Sequence, residues 1–495
     1  MSQLLPITAL FILPIIAIIV MLFFTTQEQH PRVGYYQLLL CTLSLVITGL
    51  LFLGFDRTKV ITMASWPAPF GITLLFDTLT KFMLLVFSFI GLVINYFSLG
   101  DHRVGRSQCY LYCGYWLLML GITGALATVD IFNLYVWCEV ILVSAFIILR
   151  SDIKDNTKPI LHYATINITG TLLLLIAIGL LYASTGQLNM AAIAESIHQD
   201  NSALCISAMA LLLLGLGIKG AIFPLYFWLP EAYPNTSSSA TLLLSSFVTK
   251  VIMLVILRLV WLWPPLQAQP LQSLFIALAC CTMVFGVFGA ANEHRMRSIL
   301  SFHIISQLGY ILLAIFIPSQ LAIVAALYFL IHNVFVKSTL IMVAGIIEQH
   351  CGTDDLGRVA ELLKACPLLG LICFIAAMSL AGIPPLSGFW AKLLVLIVSF
   401  TTQHYAAVIF AIIVSLLTLY SMIKIWRYGF CQANETANIA SKPFQLTTRQ
   451  TISLIGLSIP AVVIGLLPIV IFPVLERIAA QLTDTTHVIN LILGG

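Results

Sequence analysis

Six ionisable side chains lie inside long apolar stretches of this 495-residue sequence, where a charge is costly. They are one glutamate and five lysines: Glu139, Lys81, Lys219, Lys250, Lys337 and Lys392. On insertion scales each costs about 2.5 to 3.5 kcal/mol at the centre of a bilayer, so all six unpaired would cost about 15 to 20 kcal/mol. We therefore expect these side chains to face the interior of a helix bundle, with partners or water, and to mark an ion pathway.

The chemistry that suits buried lysines and one carboxylate is proton transfer. Burial disfavours a charged ammonium and a nearby carboxylate favours it, so making or breaking an ion pair moves a proton. We predict that Glu139 pairs with Lys219, and that their separation drives the proton from Lys219 toward Lys250 and onward to Lys392. Because a protonated lysine cannot ligate a metal cation, these residues favour protons over sodium.

Secondary relay candidates lie between Lys219 and Lys392. They are Lys337 and His332, in LYFLIHNVFVKSTLIM, and His303, in ILSFHIISQLGY. Histidine has an unperturbed pKa near 6.5, which suits a relay, although for each histidine alone a satisfied core residue is the slightly commoner case.

Two further charged positions near predicted helix starts, Lys81 with Asp77 and Asp130, can be explained by local structure without a role in proton transfer. Lys81 follows Asp77 by four residues near a helix end, so its ammonium could pair locally with Asp77 or snorkel to the interface. Asp130 lies in the first turn of the helix that carries Glu139, and we expect it to cap that helix or to lie at the membrane interface.

Lys219 and Lys392 each lie beside a glycine- and proline-rich interruption of an apolar run. The first run, LLLLGLGIKGAIFPLYFWLPEAYP, is interrupted at Pro224; the second, MSLAGIPPLSGFWAKLLVL, at Gly382, Pro384, Pro385 and Gly388. Two interrupted segments in corresponding places indicate an inverted repeat with ion sites near the membrane midplane. The lysine precedes the first break and follows the second, so the correspondence is imperfect. GLGIKG fits G-x-G-x-x-G, but no strand precedes it, which excludes a dinucleotide site.

The elements that position these residues are membrane-spanning helices. Hydrophobic residues make up 60% of the chain and charged residues 8%, against roughly 25% charged residues in a soluble domain. A hydrocarbon core needs about 20 apolar residues per helix. We predict an all-α integral membrane protein with fourteen spans, at 4–24, 33–54, 77–99, 109–126, 129–150, 159–184, 203–227, 239–261, 269–290, 299–317, 320–347, 367–401, 403–426 and 450–473.

The distribution of lysine and arginine predicts the orientation of these spans. Loops after odd-numbered spans hold 14 of these residues, whereas loops after even-numbered spans hold 3, namely Arg57, Lys59 and Arg258. Cytoplasmic loops are enriched in basic residues. We therefore expect both termini on the external side of the cell inner (plasma) membrane, with the first apolar run kept as a helix and not cleaved as a leader.

Several other functions are excluded by composition. The net charge is +4, but the basic residues are scattered singly, which excludes a nucleic-acid surface. The 11 cysteines form no C-x-x-C pair and lie mostly in apolar runs, so we expect small core residues and no metal site. No polar stretch is long enough for a soluble domain, so we expect no cofactor in this chain; any redox or nucleotide module belongs to another subunit.

With these residues in view, the chain resembles the proton-conducting antiporter-like membrane subunits shared by respiratory complex I and Mrp-type cation/proton antiporters. The segments FNLYVWCEV, KGAIFPLYFWLPEAYP, TKVIMLVILR, HNVFVKSTL and AGIPPLSGFWAK look most like the family of Mrp antiporter D subunits. In that family a glutamate of the fifth helix and lysines of the seventh, eighth and twelfth form the proton route. By motif, the resemblance implies that Glu139, Lys219, Lys250 and Lys392 have this role.

The resemblance also implies an architecture of fourteen helices with two inverted five-helix repeats and with helices 7 and 12 broken. We place helices 1–3 in 1–107, the first repeat (helices 4–8) in 108–265, the second repeat (helices 9–13) in 266–430, and a cytoplasmic loop, helix 14 and the tail in 431–495.

The function implied is that of a proton-translocating subunit, not an enzyme, in a multisubunit antiporter that exchanges sodium or another monovalent cation for protons. Its partners would be other small hydrophobic membrane subunits. The alternative is a proton-pumping membrane subunit of an NADH-quinone oxidoreductase or related membrane hydrogenase, although the chain lacks the long lateral helix of the largest complex I homologue. A self-sufficient transporter or a subunit of an inorganic-carbon uptake system is a third possibility.

Overall fold

The computed structural model describes residues 5–25, 33–54, 58–100, 106–151, 158–199, 202–432 and 444–494. Both ends of the chain lie outside these ranges. So do five of the basic residues on which the predicted orientation depends, namely Arg32, Arg57, Arg103, Lys154 and Lys442.

Helices make up most of the first half of the chain. In order they are α1 (Leu5–Thr25), α2 (Val33–Gly54), α3 (Thr78–Ser98), α4 (Arg106–Ala127), α5 (Ile131–Arg150), α6 (Lys158–Thr185), α7 (Met190–Gln199), α8 (Ala203–Lys219), α9 (Trp228–Ala232) and α10 (Ser238–Leu262).

The second half continues in the same way. Its helices are α11 (Leu271–Asn292), α12 (Met296–Ile315), α13 (Gln320–Cys351), α14 (Leu362–Ala365), α15 (Pro367–Ala381), α16 (Ser387–Thr401), α17 (Tyr405–Ile425), α18 (Thr448–Leu466), α19 (Phe472–Thr483) and α20 (Thr485–Leu493). A π-helical turn, Trp426–Cys431, continues α17.

The predicted all-α membrane architecture is confirmed. Within the described ranges, 12 helices are long and apolar enough to cross a membrane. The shorter α8 occupies the predicted seventh span, and α15 with α16 occupies the twelfth, so helices 7 and 12 are broken as expected. Together these elements account for the fourteen predicted spans, with ends that differ by a few residues.

Single polar residues set the start of several spans. Asp77, Asp130, Ser202, Ser237 and Thr447 each accept a hydrogen bond through the side chain from a backbone N–H three residues later. Such N-caps satisfy donors that the first helical turn leaves unpaired. The predicted capping role of Asp130 is therefore confirmed.

The centre of the bundle is formed by α10, α12 and α13, whose apolar stretches are buried almost completely. By contrast α1, α2, α17 and α18 keep large apolar side chains exposed. In a bilayer such side chains face lipid or other membrane subunits. Four predicted site residues lie on the central helices, namely Lys250, His303, His332 and Lys337.

Some short elements were not predicted. Strand β1 (Lys59–Thr62) pairs antiparallel with β2 (Thr73–Phe76), with Lys59 opposite Phe76 and Thr62 opposite Thr73. Four residues are too few for a clear period-2 pattern. The hairpin shares one end of the bundle with α7, α19 and α20, which we call the hairpin face. The opposite end, which carries Arg295 and Arg297, we call the arginine face.

The prediction that Arg258 belongs to a loop is wrong. Arg258 lies inside α10, is buried, and its guanidinium contacts the carboxylate of Asp77 at 2.8 Å. Its charge is tolerated there because an ion pair and further hydrogen bonds compensate for lost solvation. Among the cysteines, all of which are free, 8 are buried and Cys431 is exposed.

Candidate functional site

Glu139 and Lys219 lie together, joined by a threonine from the helix between them. The Nζ of Lys219 is 3.5 Å from Oε1 of Glu139 and donates a 2.7 Å hydrogen bond to Oγ1 of Thr171. The Thr171 hydroxyl donates a 2.6 Å hydrogen bond to the same carboxylate oxygen. Glu139 is on α5, Thr171 on α6 and Lys219 on α8. We call these three residues the triad.

The two ends of the triad differ in their surroundings. The side chain of Lys219 is 5% exposed, whereas that of Glu139 is 31% exposed. The carboxylate therefore lies at the edge of the bundle and the ammonium inside it. An ion pair that is buried on one side is sensitive to changes in its surroundings, because low dielectric strengthens both the attraction and the cost of a lone charge.

Both broken helices have a lysine associated with the C-terminal end of a half-helix. Lys219 is the last residue of α8, and the chain then turns through Gly220 and Ala221 before it reaches α9. At the second break, Gly382 adopts a φ of +92° after α15, and Nζ of Lys392 reaches back to donate to the carbonyl of Ala381 at 2.8 Å.

The C-terminal end of a helix carries partial negative charge and stabilises a cation. The Nζ of Lys392 contacts such a helix end directly, whereas the Nζ of Lys219 contacts Thr171 and Glu139. The two lysines therefore lie beside comparable breaks but have different partners, and their correspondence as an inverted repeat stays a prediction.

Lys250 lies at the centre of α10 and is fully buried. Its Nζ donates a 2.6 Å hydrogen bond to the carbonyl of Ser245 on the same helix. One turn away, the hydroxyls of Ser246 and Ser338 contact each other at 2.7 Å and join α10 to α13. In the described part of the chain, no direct hydrogen bond joins Lys250 to Lys219.

Lys337 and His332 are buried on α13. The Nζ of Lys337 donates to the carbonyl of Leu300 on α12 at 3.0 Å. On the other side, Nδ1 of His332 is 2.9 Å from the hydroxyl of Ser387, the first residue of α16. That hydroxyl lies 3.1 Å from the hydroxyl of Ser379 on α15. The histidine therefore contacts the second helix break directly.

His303 belongs to a group of buried polar side chains on α12 and α13 whose hydrogen-bonding atoms lack a protein partner. Within the described residues these atoms include both ring nitrogens of His303 and the side-chain polar atoms of Ser306, Gln307 and Asn333. Nε2 of His332 also lacks one. Buried polar groups are rarely left unsatisfied, and buried water commonly pairs with them. We call these five residues the polar cluster.

Several members of this arrangement were not predicted from the sequence. Thr171 gave no signal, because a threonine in an apolar helix is common. Ser306 and Gln307 follow His303 at spacings of three and four residues, which places them on one helix face. This spacing is the signal in the sequence that could have added Ser306 and Gln307 to the predicted relay candidates.

The described contacts give a series of local groups and not a single connected chain. The triad, Lys250 with its serines, Lys337, the polar cluster and Lys392 follow one another across α5, α6, α8, α10, α12, α13 and α16. Asp77, considered as a local partner of Lys81, contacts Arg258. In the described ranges, no three His, Cys, Asp or Glu side chains come together as a metal site would require.

Comparison with known proteins gives a consistent result. The profile of the family described as NADH:quinone oxidoreductase/Mrp antiporter, TM matches residues 128–418, which include every residue of the predicted proton route. The chain is 35% identical over 437 residues to the Na+/H+ antiporter D subunit of Alkalihalophilus pseudofirmus, covering 88% of each protein.

Solved structures show the same fold. A chain of the Mrp complex from Dietzia sp. DQ12-45-1b superposes with a TM-score of 0.89 at 26% identity, covering 98% of this chain and 99% of that one. A chain of respiratory complex I from Thermus thermophilus gives a TM-score of 0.75 at 20% identity, covering 94% and 99%. The second likeness is one of fold alone.

Proposed function

Because the chain belongs to the NADH:quinone oxidoreductase/Mrp antiporter family, we propose that it is the proton-translocating membrane subunit, of the D type, in a multisubunit Na+/H+ antiporter. The observation that carries this proposal is the triad, in which a half-buried carboxylate, a hydroxyl and a buried ammonium are in contact. Its partners would be other small hydrophobic membrane subunits, and the exchanged ions protons and a monovalent cation.

The triad supports a proton-transfer step driven by ion-pair separation. While Glu139 is ionised and close, it stabilises the charged ammonium of Lys219. When the pair separates, the buried ammonium loses that compensation and its proton becomes easier to release. The proton would then pass inward toward Lys250, with water at the polar groups between them.

The later part of the route uses the central helices and the second break. Lys250, Lys337 and the polar cluster would carry the proton between the two broken helices, and Lys392 would be its last buried site. Lys219 and Lys392, at the ends of half-helices, would be the two points where movement of a helix changes the environment of a charge. The two inverted repeats, at 108–265 and 266–430, are part of this proposal.

The orientation in the membrane follows from charge. The arginine face carries Arg295, Arg297 and Lys424 in or near its connections, which supports a cytoplasmic location. The hairpin face and both termini would then be external, in the plasma membrane of the cell. Proton entry from outside and delivery to the cytoplasm would require access from both faces.

A second candidate function is a proton-pumping subunit of an NADH-quinone oxidoreductase. The family profile covers both classes, and the fold likeness to a complex I chain supports it. Purification from native membranes separates the two. Co-purifying small hydrophobic subunits support the antiporter, whereas flavin or iron-sulfur subunits support the oxidoreductase.

Two substitutions test the proposed role of the triad. Glu139→Gln removes the charge that stabilises the ammonium, and Lys219→Ala removes the ammonium itself. We expect each to lower sodium-dependent dissipation of a pH gradient by about a hundredfold or more, as for a lost proton-transfer group. The assay uses the assembled antiporter in inverted membrane vesicles.

Glu195→Gln is the matched control, because Glu195 is an exposed carboxylate on α7. It removes the same charge outside the triad and should leave transport at the wild-type level. Wild-type transport in both Glu139→Gln and Lys219→Ala, with the complex assembled in normal amounts, would refute the proposed route.

A further inference from the structure

A cavity of about 290 Å³ lies at the hairpin face, apart from the triad. Its wall is formed by the hairpin, the end of α10 and the C-terminal helices α19 and α20, with Asp77 and Arg258 in the lining. On α19, Gln481 accepts a 3.3 Å hydrogen bond from the backbone N–H of Thr78, which fastens this helix beside the start of α3. Arg477, Asp484 and His487 also line it, so the cavity is suited to water. We call it the outer cavity.

A second, smaller cavity of about 10 Å³ lies deeper in the bundle. Its lining includes Thr128, Leu254 and Leu259, and it has space for about one water molecule. Arg258 lines this inner cavity as well as the outer one. The Arg258 side chain therefore lies between the two cavities.

The position of Arg258 is fixed by an ion pair and by hydrogen bonds to two further groups. One terminal nitrogen contacts Oδ2 of Asp77 at 2.8 Å and Oγ1 of Thr80 at 3.0 Å, and the other donates to the carbonyl of Leu126. Both charged side chains are at most 10% exposed. Removing one partner of such a pair leaves a buried charge without compensation, so the arrangement depends strongly on both.

The same helix connects Arg258 to the centre of the proposed route. Lys250, Leu254 and Arg258 follow one another at intervals of four residues on α10, so they lie along one side of the helix. Arg258 is about 12 Å from Lys250 along the helix axis. The Nζ of Lys250 points the other way, toward the carbonyl of Ser245. The structure thus shows the ion pair made and the lysine directed away from the inner cavity.

We propose that the Asp77–Arg258 pair is a gate between the outer cavity and Lys250, and that the two cavities together form a passage for protons at the hairpin face. The inference rests on the proposed function of the chain. With the pair separated and Lys250 turned toward Leu254, water would fill both cavities. A proton could then pass between hydronium in this water and the amine of Lys250, which becomes ammonium on gaining it and neutral amine on losing it.

The test measures access to the inner cavity. In a Leu254→Cys variant of the full antiporter, the new thiol is exposed to Ag+, a charged thiol reagent about as small as the water molecule that the inner cavity can hold, and the unreacted thiol is then alkylated in denaturant and counted by peptide mass. Asp77→Asn is then added, because asparagine keeps the N-cap of α3 and almost the same volume but removes the charge of the ion pair. We expect labelling about tenfold faster, as for a lost hydrogen bond between charged groups.

Asp484→Asn is the matched control. Asp484 also caps a helix, α20, and lines the same outer cavity, but its cap is exposed. This change should leave the labelling rate of Leu254→Cys as it was. Ala480→Cys, in the outer cavity, should be labelled in every background, since that cavity is proposed to be continuous with water.

The second readout is passive proton conductance without sodium, which should rise about tenfold in Asp77→Asn and stay at the wild-type level in Asp484→Asn. Equal labelling of Leu254→Cys with and without Asp77→Asn would overturn the gate, as would an unreactive Ala480→Cys. If Asp77→Asn fails to assemble, Arg258→Lys takes its place, with the same outcomes, since it keeps the charge and loses the forked contacts.

The labelling result separates failure of the gate from failure of the proposed function. Transport that survives Glu139→Gln counts against the proton route, whatever the labelling shows. Unchanged accessibility of Leu254→Cys, in a complex where Glu139→Gln abolishes transport, counts against the gate alone.

Discussion

Thr171 is the residue through which the two charges of the triad are connected. The direct approach of Lys219 to Glu139, 3.5 Å, is longer than either hydrogen bond to the threonine hydroxyl, at 2.6 and 2.7 Å. A hydroxyl can donate to a carboxylate and accept from an ammonium at the same time. The threonine therefore holds the pair at a distance from which a small movement separates it.

We predict that Thr171→Val impairs transport more than Thr171→Ser does. Valine has almost the same shape but no hydroxyl, and a hydrogen bond to a charged group contributes about 1.5 to 3 kcal/mol, so a loss of about tenfold or more is expected. Serine keeps the hydroxyl and should retain most activity. Sodium-dependent pH-gradient assays on both variants measure this, and equal transport in the two would contradict a bridging role.

At the scale of residues, the sequence draws attention to charged groups and not to uncharged ones. Glu139, Lys219, Lys250 and Lys392 stand out in it because a charge in an apolar run is costly and therefore rare. Thr171, by contrast, costs little in a membrane helix, so its presence there carries no signal. Its importance depends on α5, α6 and α8 meeting at one point, which is a property of the packing.

At the scale of elements, the backbone of α16 at the second helix break packs tightly against α15 and against His332 on α13. A Cβ built on Gly388 would lie 1.7 Å from the carbonyl oxygen of Ser379 and 2.9 Å from Cε1 of His332. Glycine is therefore needed for α16 to approach both α15 and α13. The break is held by close contact as well as by the prolines that interrupt the helix.

We predict that Gly388→Ala destabilises the protein by about 1 to 3 kcal/mol, as is usual for overpacking in a buried site. The melting temperature of the purified complex measures the effect. Gly179→Ala, in the C-terminal part of α6, is the control, because a Cβ there has no atom within 4 Å. Equal melting temperatures for the two variants would show that the contact is not as restrictive as the structure indicates.

Long elements were predictable from the sequence and short ones were not. A span of about 20 apolar residues is required by the thickness of the bilayer, so α1 to α6 and the later spans could be read from hydropathy. The strands β1 and β2, and the short helices α7, α19 and α20, are not subject to that constraint. They form by packing on the ends of the bundle, and α19 is positioned through contacts such as that of Gln481 with Thr78.

At the scale of the whole molecule, the two ends of the bundle differ in their charged residues and in the elements that cover them. The hairpin face is covered by the hairpin and the C-terminal helices, whereas the arginine face holds ion pairs that are buried on one side only, such as Arg297 with Glu348 at 2.7 Å. The proposed orientation places the arginine face in the cytoplasm.

Cys431 offers a test of this orientation without a new substitution. It is exposed and ends the π-helical turn that follows α17 on the arginine face. We predict that a membrane-impermeant maleimide labels it in inverted vesicles and not in right-side-out vesicles. Cys431→Ser removes the signal. Asn490→Cys, on exposed α20, should show the reverse pattern, and labelling of Cys431 from outside would reverse the assignment of the faces.

The long helix α13 has 32 residues without interruption and packs against α10, α12, α15 and α16. At 1.5 Å per residue it is about 48 Å long, well beyond the hydrocarbon thickness. His332 and Lys337 are consequently held at a constant spacing, whereas Lys219 and Lys392 lie beside breaks, where helical hydrogen bonds are missing and bending is easier. In the proposed antiporter, a push from a neighbouring subunit would therefore change the surroundings of Lys219 and Lys392 before it changed the spacing of the two residues on α13.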